Sequence, residues 1–279
     1  MNYKIIARET MDILARGGYQ GPEGWVDISG MQERSAAGSR FLPEEEALIL
    51  PECPRQETQM RLTDRSTVGA ILDLAAEGKT GIVVLNFASA KNPGGGFLNG
   101  AMAQEESLAA SGGLYKTLTI HEEYYRRNRA CGHMRYTGCA IWSPEVVFFR
   151  DENFRLLPRP VTASVLTLPA VNLGQVIQKG EAVPQAKAAM KERMERALAI
   201  FAAMGARELV LGAYGCGVFR NDPREVALWW TQLLALPEYS GRFAGVIHAV
   251  LDRSKDQKCW RAFAETWGEG GEDCGQKQG

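Results

Sequence analysis

The stretch Gly81-Ile82-Val83-Val84-Leu85-Asn86-Phe87 constrains the fold more than any other part of the chain. It is apolar on both faces, so as a strand it belongs inside a sheet that helices cover on each side. The surrounding sequence supplies such helices. Val68, Ile71, Leu72 and Ala75 repeat at helical spacing from Thr67, with Gly78 as a stop. Pro184 to Met204 reads as a longer helix: Met190, Met194, Ala197, Leu198 and Phe201 form its apolar stripe, and Gly205 ends it. A methionine stripe of this kind is core. Asp222-Pro223-Arg224-Glu225 combines an N-cap, a proline at the first helical position and a carboxylate at the third, so a helix carrying Val226, Trp230 and Leu233 begins there.

Further strands are expected at Ser164–Leu168, Leu209–Leu211 and Phe243–Leu251, and their alternation with helices predicts an α/β fold with a mixed or mostly parallel sheet sandwiched between helices. Residues 1–19 read as an N-terminal helix stopped by Gly17-Gly18. Residues 20–66, with Pro22, Pro43, Pro51 and Pro54, show no firm period and are expected as irregular structure or short strands. The chain thus divides into an N-terminal extension packed on the core (1–66), the core itself (67–267) and a polar, glycine-rich tail expected to be disordered (268–279).

Charge and cysteine usage exclude several classes of function. The 32 basic residues against 33 acidic ones give no general attraction for a polyanion, so phosphate recognition must be local and sequence-specific nucleic-acid binding is not expected. No apolar run approaches the roughly 18 residues of a membrane span. The six cysteines form no Cys-x-x-Cys pair and follow no secretory signal, which points to reduced thiols and a cytoplasmic protein. Cys131, His133 and Cys139 lie close together, but no fourth ligand stands at a zinc-like spacing, so no metal and no cofactor is expected. His248, in an apolar strand, reads as a satisfied core histidine.

Two glycine-rich turns follow strands, where open α/β sheets bind ligands. In the first, Gly94-Gly95-Gly96 follows Asn92 and precedes Gln104-Glu105-Glu106 by seven residues. Glycines let the backbone approach a ligand and present amide groups to its oxygens. No Gly-Lys-Ser/Thr follows, and the dinucleotide pattern would need glycine at Asn99. The adjacent carboxylates point in different directions and should differ in task. At a helix start the dipole favours the charged carboxylate, whereas burial, the neighbouring glutamate and a bound diphosphate favour the proton, which makes a general acid plausible. In the second turn, Gly215-Cys216-Gly217-Val218-Phe219 leads to a helix start that suits a diphosphate, with Phe219 placed to cover a ribose. Cys216 has no neighbouring histidine and reads as small-residue packing.

Taken together these stretches resemble the bacterial-type poly(ADP-ribose) glycohydrolases, whose signature is a triple glycine followed at short spacing by Gln-Glu-Glu. The similarity runs from about Arg55 to Phe263 and includes Asn86–Ala90, Ser143-Pro144, Phe149–Asp151, Pro169–Asn172 and Gly215–Phe219. Tyr214 stands where relatives often have tryptophan. The resemblance implies a macrodomain-like fold, no metal requirement, and hydrolysis of the ribose-ribose bond of poly(ADP-ribose) from a free end. It further implies Glu106 as the essential glutamate, with Glu105 against the distal ribose. Gly94, Gly95 and Gly96 would lie around the diphosphate and distal ribose, Asn92 would reach that ribose, and Gln104 would belong to the substrate-binding set. Gly215, Cys216, Gly217 and Val218 would form the diphosphate loop, and Phe219 would stand beside the distal ribose. ADP-ribose or its polymer is the expected partner of a monomer. The rival readings are a macrodomain that binds ADP-ribose without cleaving it, and a hydrolase of mono-ADP-ribosyl or acyl-ADP-ribose substrates.

Overall fold

The apolar run from Ile82 to Phe87 lies at the centre of a seven-stranded sheet in the computed structural model, which describes residues 1–267. The expected disordered tail, 268–279, falls outside the described residues. In chain order the elements are α1 (Tyr3–Arg16), β1 (Gly18–Gly21), β2 (Gly24–Asp27), α2 (Ser29–Gly38), β3 (Arg40–Leu42), β4 (Gln59–Thr63), α3 (Thr67–Ala76), β5 (Ile82–Phe87), α4 (Gln104–Ser111), α5 (Leu114–Leu118), α6 (Glu122–Ala130), β6 (Ala140–Arg150), β7 (Leu156–Leu168), α7 (Leu173–Gln178), α8 (Val183–Ala203), β8 (Glu208–Leu211), α9 (Pro223–Leu234), β9 (Gly245–Ala249) and α10 (Lys258–Trp267).

The strand order is β3-β6-β7-β5-β8-β9-β4. Strand β5 pairs in parallel with β7 on one side and β8 on the other. The parallel block continues through β9 to β4, while β6 and β3 are antiparallel additions. Alternate side chains of β5 enter different cores. Val83 and Leu85 pack with Met190, Met194 and Phe201 of α8 and Val226 and Trp230 of α9. Ile82 and Val84 pack with Val68, Ile71 and Leu74 of α3 and Leu108 of α4. Each large apolar side chain buried this way stabilises the fold by about 1.5–3 kcal/mol, which is why β5 tolerates no polar face except at Asn86.

The expected α/β sandwich is therefore observed. Residues 1–66 supply β3 and β4, the two edges of the sheet, and α1, which packs Ile13 and Leu14 against Val147 and Phe149 of β6. His248 is buried against Phe263 and Trp267, yet neither ring nitrogen has a hydrogen-bond partner among the described residues. Burial alone pushes its pKa down to about 3, so it is a neutral packing ring rather than a satisfied polar one.

The topology favours ligand binding beyond the carboxyl ends of the central parallel strands. The chain leaves the carboxyl end of β5 toward α4 on one face of the sheet and that of β8 toward α9 on the other. Adjacent parallel strands whose following segments part in this way leave a ligand-sized gap beyond their ends. Both glycine-rich turns emerge there.

Candidate active site

Glu106 occupies the third position of α4 and is half-buried. Its Oε2 accepts from the Ala103 amide at 3.1 Å, which is half of a capping box, since Ala103 has no side-chain oxygen to return the bond. Its Oε1 accepts from the Gly96 amide at 2.9 Å. The carboxyl is thus held between the helix start and the triple-glycine loop. Gly95 explains why that loop must be glycine. It has φ +60°, and a Cβ there would overlap Glu106 Oε1 and lie 3.1 Å from Glu105 Oε2. The glycine run and the glutamate pair are one structural unit.

Glu105 lies beneath the loop, only 3% exposed. Its Oε2 accepts from the Ser89 amide at 2.7 Å and its Oε1 from Asn86 Nδ2 at 3.3 Å. Burial raises its pKa to about 8; the neighbouring Glu106 also raises it, and the bonds from Ser89 and Asn86 only partly oppose this. The two glutamates do occupy different environments, as their adjacency suggested. At neutral pH the folded protein holds a proton on Glu105 that the unfolded chain releases. The contribution of this group to stability is therefore present below the ordinary carboxyl range and lost as pH rises through about 8. Denaturant midpoints measured from pH 5 to 8.5 are expected to fall, with Glu105 contributing a slope approaching about 1.4 kcal/mol per pH unit near pH 6 to 7. Glu105→Gln should flatten that profile. An unchanged profile would show that the buried carboxyl is ionised.

Gln104 is committed to the scaffold: its Oε1 accepts from the Phe87 amide at 2.8 Å, and its Nε2 donates to Leu85 O at 2.9 Å and Thr67 Oγ1 at 3.2 Å. It ties α4 to the end of β5 and to the start of α3. The triple-glycine loop also differs from the row of free amides expected for it. The Gly95 amide donates to Asn92 O at 3.0 Å and the Gly96 amide to Glu106. A short loop that must keep its turn uses its own amides to do so. Asn92 is exposed at its rim.

The second turn keeps open the amides the first does not. The Gly217, Val218 and Phe219 N–H groups donate to no acceptor among the described residues, and Val218 is 84% exposed. Gly215, at φ +72°, forms the packed foot of the turn: a Cβ would come 2.6 Å from Asn221 Nδ2 and 2.8 Å from the Ala170 Cβ. Asn221, buried, donates from Nδ2 to Val171 O at 2.9 Å and Gly215 O at 3.0 Å, locking this turn to the one after β7. Tyr214 packs below, its hydroxyl donating to Leu168 O at 2.9 Å and its ring 5.5 Å from Phe87. Phe219 is half-buried beside Tyr136, and Cys216 is half-buried. Asn172 caps α7 by accepting from the Gln175 amide at 3.1 Å.

Two supporting residues escaped the sequence reading. Asn86 would have been visible as the polar residue in an otherwise apolar strand. Asn221 gave no signal beyond standing next to a helix cap, because its partner Val171 lies 50 residues away. Asn221→Ala removes the side-chain bonds to Val171 O and Gly215 O, while each carbonyl keeps a backbone donor, the Leu173 and Asn221 amides at 3.1 Å. A cost of about 0.5–1.5 kcal/mol per lost bond is expected in thermal unfolding. A cost near zero would mean that the turns are not coupled through this side chain. Among the described residues no group of three or more His, Cys, Asp and Glu is placed to hold a metal ion, and no helix is long and apolar enough to cross a membrane.

A carboxyl anchored by backbone amides in the segment after β5, and a turn with open amides after the neighbouring parallel strand β8, are the features with which an α/β protein can meet an anionic ligand at the carboxyl ends of its strands. The profile of the microbial-type PARG catalytic domain matches residues 7–151. The crystal structure of a poly(ADP-ribose) glycohydrolase from Thermomonospora curvata is 36% identical, with 95% of this chain and 99% of that chain covered at a TM-score of 0.90. The same enzyme bound to the inhibitor ADP-HPD gives 38% identity, 94% and 98% coverage and a TM-score of 0.88. The Deinococcus radiodurans poly(ADP-ribose) glycohydrolase in complex with ADP-ribose gives 42% identity, 86% and 98% coverage and a TM-score of 0.80. No curated protein matches the chain. The chain belongs to the microbial-type poly(ADP-ribose) glycohydrolase family.

Proposed function

We propose that this chain hydrolyses the ribose-ribose bond of poly(ADP-ribose), working from the free end of the polymer and releasing ADP-ribose. Family membership supports the reaction class, and the structures of relatives with ADP-ribose and ADP-HPD support the ligand. The observation that carries the reading in this chain is the placement of Glu106. Its carboxyl stands between the Gly96 and Ala103 amides, with no side chain at Gly95 to cover it.

The chemistry follows from the charge that develops. Breaking the bond at the anomeric carbon leaves an oxocarbenium-like ribose and an oxygen that needs a proton. Glu106 gives that proton to the departing 2′ oxygen, then as a carboxylate takes one from the water that attacks the ribose. The open amides of Gly217, Val218 and Phe219 hold the diphosphate, and Phe219 covers the distal ribose. Asn92, Gly94, Gly95 and Gly96 shape the ribose pocket, while Glu105 and Gln104 act from beneath by fixing the loop and the start of α4. The protein acts as a cytoplasmic monomer and reads no nucleic-acid sequence.

Parallel incubation with poly(ADP-ribose) and with mono-ADP-ribosylated protein, chelator present, tests this directly. Release of ADP-ribose from the polymer is expected. Release from the mono-modified protein alone would transfer the activity to single marks, and release from neither would leave a binding protein.

A further inference from the structure

The arginines that end helix α6 are engaged in different ways. Arg126 donates from Nε and Nη2 to the Glu123 carboxylate at 2.7 and 2.6 Å, and Arg127 divides its donors between Glu123 and Glu45. Arg129, with no carboxylate in ion-pair reach among the described residues, donates from Nε and Nη2 to a single backbone oxygen, that of Lys91, at 3.0 and 2.6 Å. Lys91 belongs to the loop that follows β5. The guanidinium lies over the ring of Tyr125, its Cζ 5.9 Å from the ring centroid, and Tyr125 is only 2% exposed. A planar cation resting on a buried ring keeps one orientation toward its acceptor.

We infer that Arg129 is a positioning residue for the candidate active site, holding through the Lys91 carbonyl the loop that fixes Glu106.

The outer limb of this loop has few other holds. Ser89 Oγ accepts from the Lys91 and Asn92 amides at 3.3 and 3.1 Å, which closes a tight turn within the loop itself. The Tyr124 hydroxyl, also on α6, reaches Ser89 O with a long bond of 3.4 Å. Lys91 and Asn92 are exposed. From the Lys91 carbonyl to the Glu106 carboxyl the links are short and sequential. The peptide plane that carries the Lys91 oxygen runs into Asn92, whose own carbonyl accepts from the Gly95 amide at 3.0 Å. The next amide, that of Gly96, donates to Glu106 Oε1 at 2.9 Å. Pro93 restricts the backbone between these two bonds. Gly94, Gly95 and Gly96 bring no side chain to pack this stretch down, so its position rests on such bonds.

Release of the Lys91 carbonyl frees the limb to move, and the Gly96 amide moves with it relative to Glu106. The effect on hydrolysis rests on the function proposed above; the hold on the loop does not. Wild-type protein, Arg129→Ala and Arg129→Lys are compared by hydrogen–deuterium exchange of the peptide covering residues 90–97, calorimetry with ADP-ribose and turnover of poly(ADP-ribose). Arg129 is exposed, so the thermal midpoint should shift by no more than about 3 °C. Exchange in Arg129→Ala is expected to quicken about tenfold or more. Its kcat should fall about tenfold, because a full shift of about 1 Å in a catalytic group costs on the order of 10²-fold. ADP-ribose affinity should stay within about threefold, since the diphosphate rests on the second turn. Arg129→Lys should recover part of the kcat, and millimolar guanidinium added to Arg129→Ala should do the same where sodium chloride of equal strength does not. Unchanged exchange in Arg129→Ala would overturn the inference. So would faster exchange with kcat intact, or a kcat lost in step with stability and restored by neither lysine nor guanidinium. Wild-type protein that releases no ADP-ribose, while exchange still responds to Arg129, counts against the proposed function and leaves the hold on the loop standing.

Discussion

Glu106→Gln should lower the release of ADP-ribose from poly(ADP-ribose) by about 10²-fold or more while leaving ADP-ribose binding little changed. The amide keeps the shape of the carboxyl but can neither give up a proton to the leaving oxygen nor take one from water. It also turns one of two acceptors into a donor. Either the bond from the Gly96 amide or that from the Ala103 amide is then lost, at about 0.5–1.5 kcal/mol. Folding should survive that loss, so thermal unfolding and turnover can be measured on the same preparation. A variant that keeps most of its activity would remove Glu106 from the chemistry.

Gly95→Ala should be as damaging through geometry alone. The new methyl overlaps Glu106 Oε1, approaches Glu105 Oε2 to 3.1 Å, and sits on a residue with φ +60°. Backbone strain accounts for about 1–2 kcal/mol of destabilisation. The overlap must then push the Glu106 carboxyl aside or lift the loop, and a shift of about 1 Å in a catalytic group costs on the order of 10²-fold in rate. Gly205→Ala separates the two effects. That residue has φ +70° at the end of α8, with nothing within 4 Å of a Cβ, so it should lose stability and keep activity. Equal losses of activity in both variants would attribute the Gly95 effect to stability.

Where burial imposed a period, the elements were legible. Strand β5 announced itself by having two apolar faces, and α8 by Met190, Met194, Ala197, Leu198 and Phe201, all of which are buried. Asp222 caps α9 as its sequence implied, accepting from the Arg224 amide at 2.9 Å. The illegible parts have physical reasons. Helix α2 buries Gln32 and Ser35 rather than an apolar stripe, so it shows no helical period. The first half of β7 holds Pro158 and Pro160 and is largely uncovered, which reads as loop although it pairs with β6. Strand β6 is broken in register between Ser143 and Val146, where Pro144 and the positive φ of Glu145 interrupt alternation.

At the site, sequence revealed which residues gather but not which way they face. The Gly-Gly-Gly and Gln-Glu-Glu segments do meet. The direction of Gln104 into the scaffold, the burial of Glu105 and the self-satisfied amides of the first loop arise from contacts with Leu85, Ser89 and Asn92 that no spacing rule contains. The second turn, by contrast, does carry open amides at Gly217, Val218 and Phe219, because no side chain of its own satisfies them.

The most direct test of the central claim is a crystal structure of the Glu106→Gln protein soaked with ADP-ribose. The diphosphate should rest on the Gly217, Val218 and Phe219 amides, and the distal ribose should bring its anomeric carbon to within about 3–3.5 Å of the substituted side-chain amide or of a water held by it. ADP-ribose bound with its distal ribose away from that side chain, or outside the crevice between the two turns, would contradict the account.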